Sequence, residues 1–287
     1  MKFLIIGLGY AGARHKKNLE KLGHDCFVCL KSENLKAKIK EISPKAIIIA
    51  TPTHLHIPQA LIAASQNIHI FVEKPISNKL ESIDKLLYLC KKNHLVLQVG
   101  YQMRFHPQII KLKKQIDSGE IGRVFAARIE AGQFLPDWRP NKDYKKVYSS
   151  KIKFGGGVIL DLSHEIDYAC WLFGKVKKIK AIVKKTGFLD IETEDMAEIL
   201  LEFENGPVCE IHLDYLQKKY RRSCEIIASC GNLYWEDTKD SQFDQNIPYI
   251  EELKNFIAGI KGKQKPLVNG YQAKEVLKIA LNARKNL

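Results

Sequence analysis

A glycine fingerprint sits within the first dozen residues of this chain and limits what can form around it. Gly7-Leu8-Gly9-Tyr10-Ala11-Gly12 follows the apolar run Phe3–Ile6 and opens a helix-compatible segment over residues 12–22, which Gly23 stops. In such a G-x-G-x-x-G loop the first glycine permits a tight turn and the second lets backbone approach a pyrophosphate. The third lets helix and strand pack closely. The helix N-terminus then receives the negative charge. A second strand candidate at 26–30 supplies the β-α-β context that makes the motif informative. Gly7, Gly9, Tyr10, Ala11 and Gly12 are therefore expected to hold a dinucleotide.

The same rhythm continues. Residues 34–42 form a short helix candidate with Leu35, Ile39 and Ile42 on one face, and Ala46–Ala50 is a fully apolar strand. Thr51-Pro52-Thr53 opens a helix over 57–65, Ile68–Val72 is a strand, Lys79–Asn93 a helix and Leu95–Val99 a strand. This alternation predicts a doubly wound parallel sheet with right-handed crossovers. Near Gly122 the pattern changes. Val124–Ala131, Lys178–Lys185, Ala197–Glu204, Val208–Tyr215 and Ser223–Ala228 read as strands, several joined by turns such as Glu204-Asn205-Gly206-Pro207. One long helix, Gly157–Phe173, interrupts them, and helices return at 248–261 and 271–285. The expected fold is α/β: a Rossmann domain over 1–122 and a substrate and oligomerisation domain of α+β type over 123–287. The second domain is built on a largely antiparallel open sheet, and the terminal helices can pack back on the first.

At 287 residues the chain suits two domains or one large one and can bury a sizeable core. Its first apolar run is too short for a signal peptide and no stretch is long enough to span a bilayer, so a cytoplasmic location is expected. Seven cysteines, an odd number scattered through apolar segments, read as reduced thiols. Cys26 and Cys29 have redox-motif spacing but lie in a strand, where residues three apart point to opposite faces; no metal site is expected. The net charge is +14, yet only eight of the 46 basic residues are arginine, and the lysines are dispersed over helix faces. A nucleic-acid binder would show a clustered basic stripe, so the charge is read as a solvated surface that attracts anionic small molecules.

Two segments carry proton chemistry. Glu73-Lys74-Pro75 ends the run Ile68–Val72, the place where an open α/β sheet puts its reacting groups, and Pro75 restricts Lys74 to extended geometry. Gly155-Gly156-Gly157 would let backbone come close to a ligand just before a helix that carries Asp161 and His164. Three residues apart on a helix, these two are about 60° from each other and can face one pocket. An Asp beside a His sets its tautomer. With Lys74 opposite, the set could move the proton of a hydroxyl being oxidised to a carbonyl while nicotinamide takes the hydride. Burial or a neighbouring positive ring makes a lysine a better base. The acid expected on the adenosine ribose is replaced by Leu30, with Lys31 and Ser32 after it, which favours NADP; Glu33 could still take the NAD role. His54 and His56 sit where the cofactor would lie, and Arg221-Arg222 reads as a solvated pair on a strand edge.

Taken together, Gly7–His15, Thr51-Pro52-Thr53 with His56, Glu73-Lys74-Pro75, Gly100–Pro107 and Gly155–Asp167 resemble the Gfo/Idh/MocA family, the glucose–fructose oxidoreductase and inositol dehydrogenase type, over nearly the whole chain. The resemblance implies that Lys74 and His164 act on the substrate hydroxyl with support from Asp161, and that Tyr144 joins them in binding substrate. It implies cofactor contacts from Thr51, Pro52, Thr53, His56, Glu73, Lys74 and Gln102, beside the glycine loop, Lys31 and Ser32. It further implies a cis peptide before Pro75 and homo-oligomers, dimer or tetramer, through the second sheet. Asp137–Pro140, Asp143-Tyr144, Tyr148-Ser149, Asp161–Asp167, Asp214–Gln217 and Gly231–Trp235 more narrowly resemble members thought to act on sugars for surface polysaccharide or nonulosonic acid assembly. The implied activity is NAD- or NADP-dependent oxidation or reduction of a sugar or nucleotide sugar, without nucleic acid or membrane partners. A cyclitol or free-sugar dehydrogenase and a non-catalytic dinucleotide sensor or scaffold are the alternatives. Three departures stand out: an Asp-to-His spacing of three where many relatives have four, a short segment over 31–45, and an abbreviated stretch between Trp235 and Pro248.

Overall fold

The structure, a computed structural model, describes residues 1–204, 206–237 and 243–285. The core of the abbreviated stretch after Trp235, and Asn205 of the expected turn, lie outside the described residues. From the N-terminus run β1 (Lys2–Ile6), α1 (Tyr10–Lys21), β2 (Asp25–Cys29), α2 (Leu35–Ile42), β3 (Ala46–Ile49), α3 (His56–Ser65), β4 (His69–Glu73), α4 (Ile83–Lys92) and β5 (Leu97–Gly100). Next come α5 (Pro107–Asp117), β6 (Val124–Gly132), a series of short 3-10 turns, α6 (Val158–Asp161) and α7 (His164–Phe173). The chain closes with β7 (Val176–Lys184), β8 (Met196–Phe203), β9 (Val208–Asp214), β10 (Arg221–Ala228), β11 (Gly231–Asp237), α8 (Ile247–Ile260) and α9 (Gly270–Arg284).

Two compact units result. The first joins Met1–Gln102 to Gln245–Leu277; the second is Met103–Asp244 with the residues from Lys278 onward. In the first unit five parallel strands lie in the order β2-β1-β3-β4-β5. Every residue of β3, and all of β1 after Lys2, is buried, as strands covered on both faces require. One face packs Phe3, Ile5, Ala46, Ile48 and Phe71 against Leu19 of α1 and Leu253, Phe256 and Ile257 of α8. The amides of Asn18 and Asn246 exchange hydrogen bonds of 3.0 and 2.9 Å, and Gln98 Nε2 of β5 donates to the Glu252 carbonyl at 2.8 Å. The short 31–45 segment holds only α2, capped by Asn34, so the sheet stops at β2.

The second unit carries a six-stranded sheet, β11-β10-β6-β9-β8-β7, antiparallel except for the β6–β9 pair. Its strand β11 was not foreseen, and because it pairs along β10, Arg221 and Arg222 are not on an edge. Arg221 is exposed, as expected, but Arg222 is not solvated. The side chain of Arg222 is 14% exposed with its Nε 2.9 Å from Glu165, while Arg221 reaches Glu130 at 3.1 Å. The expected helix Gly157–Phe173 is also broken: Leu162 opens to φ −99°, ψ 31°, which ends α6, and α7 restarts after Ser163. Asp161 and His164 therefore sit on two helices, and the 60° relation does not describe them. All seven cysteines are free thiols; burial pushes Cys26 up to about 11 and Cys90 up to about 12. No described helix is long and apolar enough to cross a membrane.

One face of this sheet is apolar and buried by alternation, with Ile129, Ile199, Leu201, Ile211 and Ile226 inward. The other carries charged partners. His212 of β9 lies 2.6 Å from Glu198 and 3.0 Å from Asp214, and the bond to Asp214, reinforced by Glu198 against burial, raises it to about 9. A histidine raised on folding contributes stability that is complete below its unfolded value of about 6.5. That contribution is lost as pH rises through about 9. Melting temperature measured across this window should fall more steeply for the parent chain than for His212→Gln, and parallel curves would remove His212 from the alkaline limb.

Candidate active site

The loops after β1, β3 and β4 leave one edge of the parallel sheet, its carboxyl edge. In the first of them the three glycines have separate reasons. Gly7 has φ +89°, and a Cβ there would come 2.6 Å from the Ala50 carbonyl oxygen. A Cβ on Gly12 would collide with the Gly7 carbonyl. Gly9 instead faces open space, and it caps α1 with no side-chain hydrogen bond to the first-turn amides. Packing thus demands two glycines, and the third leaves open space, a cradle at a helix N-terminus, where first-turn N–H groups have no intrahelical partner. These residues fit a pyrophosphate.

Around the cradle, Tyr10 is exposed and its hydroxyl accepts from Arg14 Nη2 at 2.5 Å; Ala11 is half-buried. Lys31 and Ser32 follow β2. Beside them the Leu30 N–H donates to Glu33 Oε2 at 2.5 Å, and this bond, with Lys38 at 3.2 Å, holds the Glu33 carboxyl low. After β3, Thr51 donates its hydroxyl to Gln59 at 2.7 Å, Pro52 precedes a 3-10 turn and Thr53 is buried. His56 is spent on backbone. Its Nε2 lies 2.8 Å from the Thr51 carbonyl and its Nδ1 2.9 Å from that of Pro75, with burial lowering the ring's basicity. It ties the loop after β3 to the loop after β4. Gln102, also buried, opens the turn that follows β5.

Glu73 ends β4. Burial alone would raise its carboxyl, but the His15 Nε2 bond at 2.6 Å and the charges of His15 and Lys74 carry it below the usual carboxylate range. The Lys74 N–H donates to the other Glu73 oxygen at 3.3 Å, and the Lys74–Pro75 peptide is cis. The lysine expected to react is thus presented by a turn whose preceding residue is anchored to α1.

The second unit holds the remaining expected residues. Its glycine triplet serves packing: a Cβ on Gly156 would meet the Tyr148 and Ser149 carbonyls, and one on Gly157, at φ +113°, would meet the Glu194 carboxylate. Asp161 is buried, and its Oδ2 accepts from Tyr215 OH at 2.7 Å; Tyr148 bonds the same carboxylate. Burial first, and the Asp161 charge second, push both phenols well up, so they act as donors. His164 is buried at the start of α7. Within the next turn Asp167 takes a two-pronged bond from Arg104 at 2.8 and 2.7 Å, and Glu194 pairs with Arg284 at 2.8 Å. Tyr144 lines a small cleft with Trp138, Arg139 and Val147, and the Trp138 ring meets the ring of Tyr215 edge-on at 5.3 Å. Tyr148 and Tyr215 were noted only within segments of a family likeness, and that both phenols meet on Asp161 was not foreseen.

The close approach of Gly12 makes a sharp test. Gly12→Ala should abolish NADH binding, read by fluorescence titration, while Gly9→Ala, which meets open space, should keep the fold and weaken binding only. Equal affinities for Gly12→Ala and the parent chain would exclude the loop as the cradle.

Comparison with known proteins bears on this geometry. A model of the oxidoreductase family with an NAD-binding Rossmann fold matches residues 26–101, and a model of the GFO/IDH/MocA C-terminal domain matches residues 109–234. Myo-inositol 2-dehydrogenase of Thermotoga maritima is 26% identical, covering 100% of this chain and 96% of its own. Levoglucosan dehydrogenase of Pseudarthrobacter phenanthrenivorans is 33% identical over 47% of this chain and 34% of its own. Among solved structures, scyllo-inositol dehydrogenase from Lactobacillus casei with bound NAD(H) and scyllo-inositol superposes with a TM-score of 0.84 at 20% identity, covering 100% of this chain and 96% of that one. The WlbA dehydrogenase from Bordetella pertussis in complex with NADH and UDP-GlcNAcA gives 0.83 at 20% identity, covering 99% and 96%. At such identity these two show the fold. Since the two family models between them span most of both sheets, the chain belongs to the Gfo/Idh/MocA family of NAD-binding oxidoreductases.

Proposed function

We propose that the chain is an NAD(P)-dependent dehydrogenase or reductase acting on a CH–OH carbon of a sugar or nucleotide sugar, with a cyclitol as the alternative substrate. One observation carries this reading: Lys74 follows β4 at the carboxyl edge of the same parallel sheet whose glycine loop fits a pyrophosphate. The dinucleotide, when bound, takes up or returns the hydride. The chain's own residues manage the proton. Lys74 Nζ accepts it from the substrate hydroxyl in oxidation and returns it to the carbonyl oxygen in reduction. His164 orients that hydroxyl as a second polar group, and Asp161, fixed by two phenols, orients His164. Myo- and scyllo-inositol dehydrogenases among the relatives favour the cyclitol, whereas the WlbA likeness favours the nucleotide sugar. Leu30, Lys31 and Ser32 favour the 2′-phosphorylated coenzyme, and Glu33 is the group that would oppose it.

Lys74→Ala should keep NADH or NADPH binding and lose turnover by about 10²- to 10⁴-fold. Undiminished turnover on a verified substrate would take the proton role away from Lys74. The substrate itself comes from following coenzyme reduction against inositols, free hexoses and UDP-sugars, with NAD and NADP in parallel. Release of coenzyme reduction by inositols alone would replace the sugar reading with the cyclitol one.

A homo-oligomer through the open face of the second sheet is part of the same proposal. Leu200 and Val208 are each 43% exposed there, and Ile182 and Tyr234 are 60% and 59% exposed. Light scattering should return a multiple of 32.8 kDa that Leu200→Glu reduces. A monomeric mass for the parent chain would end this part of the proposal.

A further inference from the structure

The buried stripe of α8 contains an acid. Tyr249, Leu253, Phe256, Ile257 and Ile260 follow helical spacing, and Glu252 stands on the same side, 0% exposed, where a leucine or isoleucine would serve packing better. Among the described residues neither carboxyl oxygen of Glu252 takes a hydrogen bond from a donor. The neighbouring Gln98 spends its Nε2 on the Glu252 carbonyl, which leaves Gln98 Oε1 a buried acceptor without a donor. A buried carboxylate in that position would be an uncompensated ion, while a buried carboxylic acid is a donor among acceptors.

The surroundings identify which acceptor matters. On α8 Glu252 lies between Tyr249, whose ring meets that of His15 at 6.3 Å, and Phe256, whose ring meets that of Phe71 at 5.7 Å. Glu73, two residues beyond Phe71 on β4 and bound by His15 of α1, is the acid of this region. From α1 Glu252 faces the Arg14 guanidinium, which stacks 4.1 Å over the Tyr249 ring. Gln98 on β5 is neutral, and the charges of Lys74 and His56 also favour the ionised form of Glu73. Two carboxyls in one dry interior cannot both ionise without large cost, and the His15 bond favours the charged form of Glu73.

We propose that Glu252 is a positioning residue: as the neutral acid it donates a hydrogen bond to Glu73, so that Glu73 is held from α1 by His15 and from α8 by Glu252, and the turn bearing Lys74 is fixed. The role given to Lys74 rests on the function proposed above; the shared proton does not. Burial, and then the Glu73 charge, hold the Glu252 carboxyl well above the usual range against the pull of Arg14. Because the folded value is raised, the proton's contribution to stability is complete below the unfolded value of about 4.3 and is lost as pH rises.

The test uses the full chain labelled with ¹³C at glutamate side chains and titrated by NMR, with no substrate required. One glutamic carboxyl should remain protonated at neutral pH and should vanish in Glu252→Gln, whose melting temperature should also fall less as pH rises above about 5. Glu252→Gln keeps an N–H donor for Glu73, and Glu252→Ala does not. With a verified substrate, Gln should therefore retain kcat while Ala loses about ten- to hundredfold in kcat at unchanged KM. A parent chain with no protonated glutamate at neutral pH overturns the proposal, even if Glu252→Gln fails to fold. So does a Gln variant no better than Ala. Absence of turnover on every substrate would count against the dehydrogenase reading alone, since the titration still decides the proton.

Discussion

At the contact between Gly12 and the Gly7 carbonyl, no side chain fits between α1 and the end of β1. That contact sets the register of α1 against the sheet. His15 and Asn18 follow Gly12 at one-turn intervals on the buried side, and Leu19 completes the stripe. His15 then reaches Glu73, and Glu73 is bonded to the Lys74 amide. A backbone approach near the N-terminus thus determines, through one helix face, where a lysine some sixty residues later is held. Asn18 uses the same register to engage the start of α8.

Four buried acids of the second unit are met in two ways. Asp167, Glu165 and Glu194 are met by guanidinium groups, whose charge offsets theirs. Removing one partner from such a pair leaves an unpaired ion in a low-dielectric setting, which costs about 3–5 kcal/mol. Asp161 is instead met by the phenols of Tyr148 and Tyr215. Neutral donors orient a carboxylate without cancelling its field. The difference separates acids whose charge is offset by a guanidinium from one whose negative potential is left in place.

The strands of the first sheet were legible because full burial writes uninterrupted apolar runs such as Ile47-Ile48-Ile49, and the glycine spacing gave the turn between β1 and α1. The break between α6 and α7 was not legible. Residues 158–173 stay apolar at helical spacing through Leu162, and the interruption is a matter of backbone angles that no side chain there announces. Strand β11 was hidden for another reason: only Leu233, Tyr234 and Trp235 of its seven residues are apolar, since much of it faces out. Lys74, Asp161 and His164 could be picked out because their neighbours were glycine and proline. Glu252 could not, since a glutamate in a helix reads as surface until its burial is known.

The order of the elements along the chain has a consequence for how the protein is made. The sheet of the first unit is complete by Gly100, but α8, which covers Phe3, Ile5 and Phe71, is specified only from Ile247 onward. A ribosome therefore delivers five strands, and then residues 103–244 of the second unit, before the helix that seals the first core exists. During that interval one face of the parallel sheet lacks its cover, and its aromatic residues are exposed to any neighbouring chain or chaperone. The first unit to be started can be closed only after residues 103–244 of the second have been made.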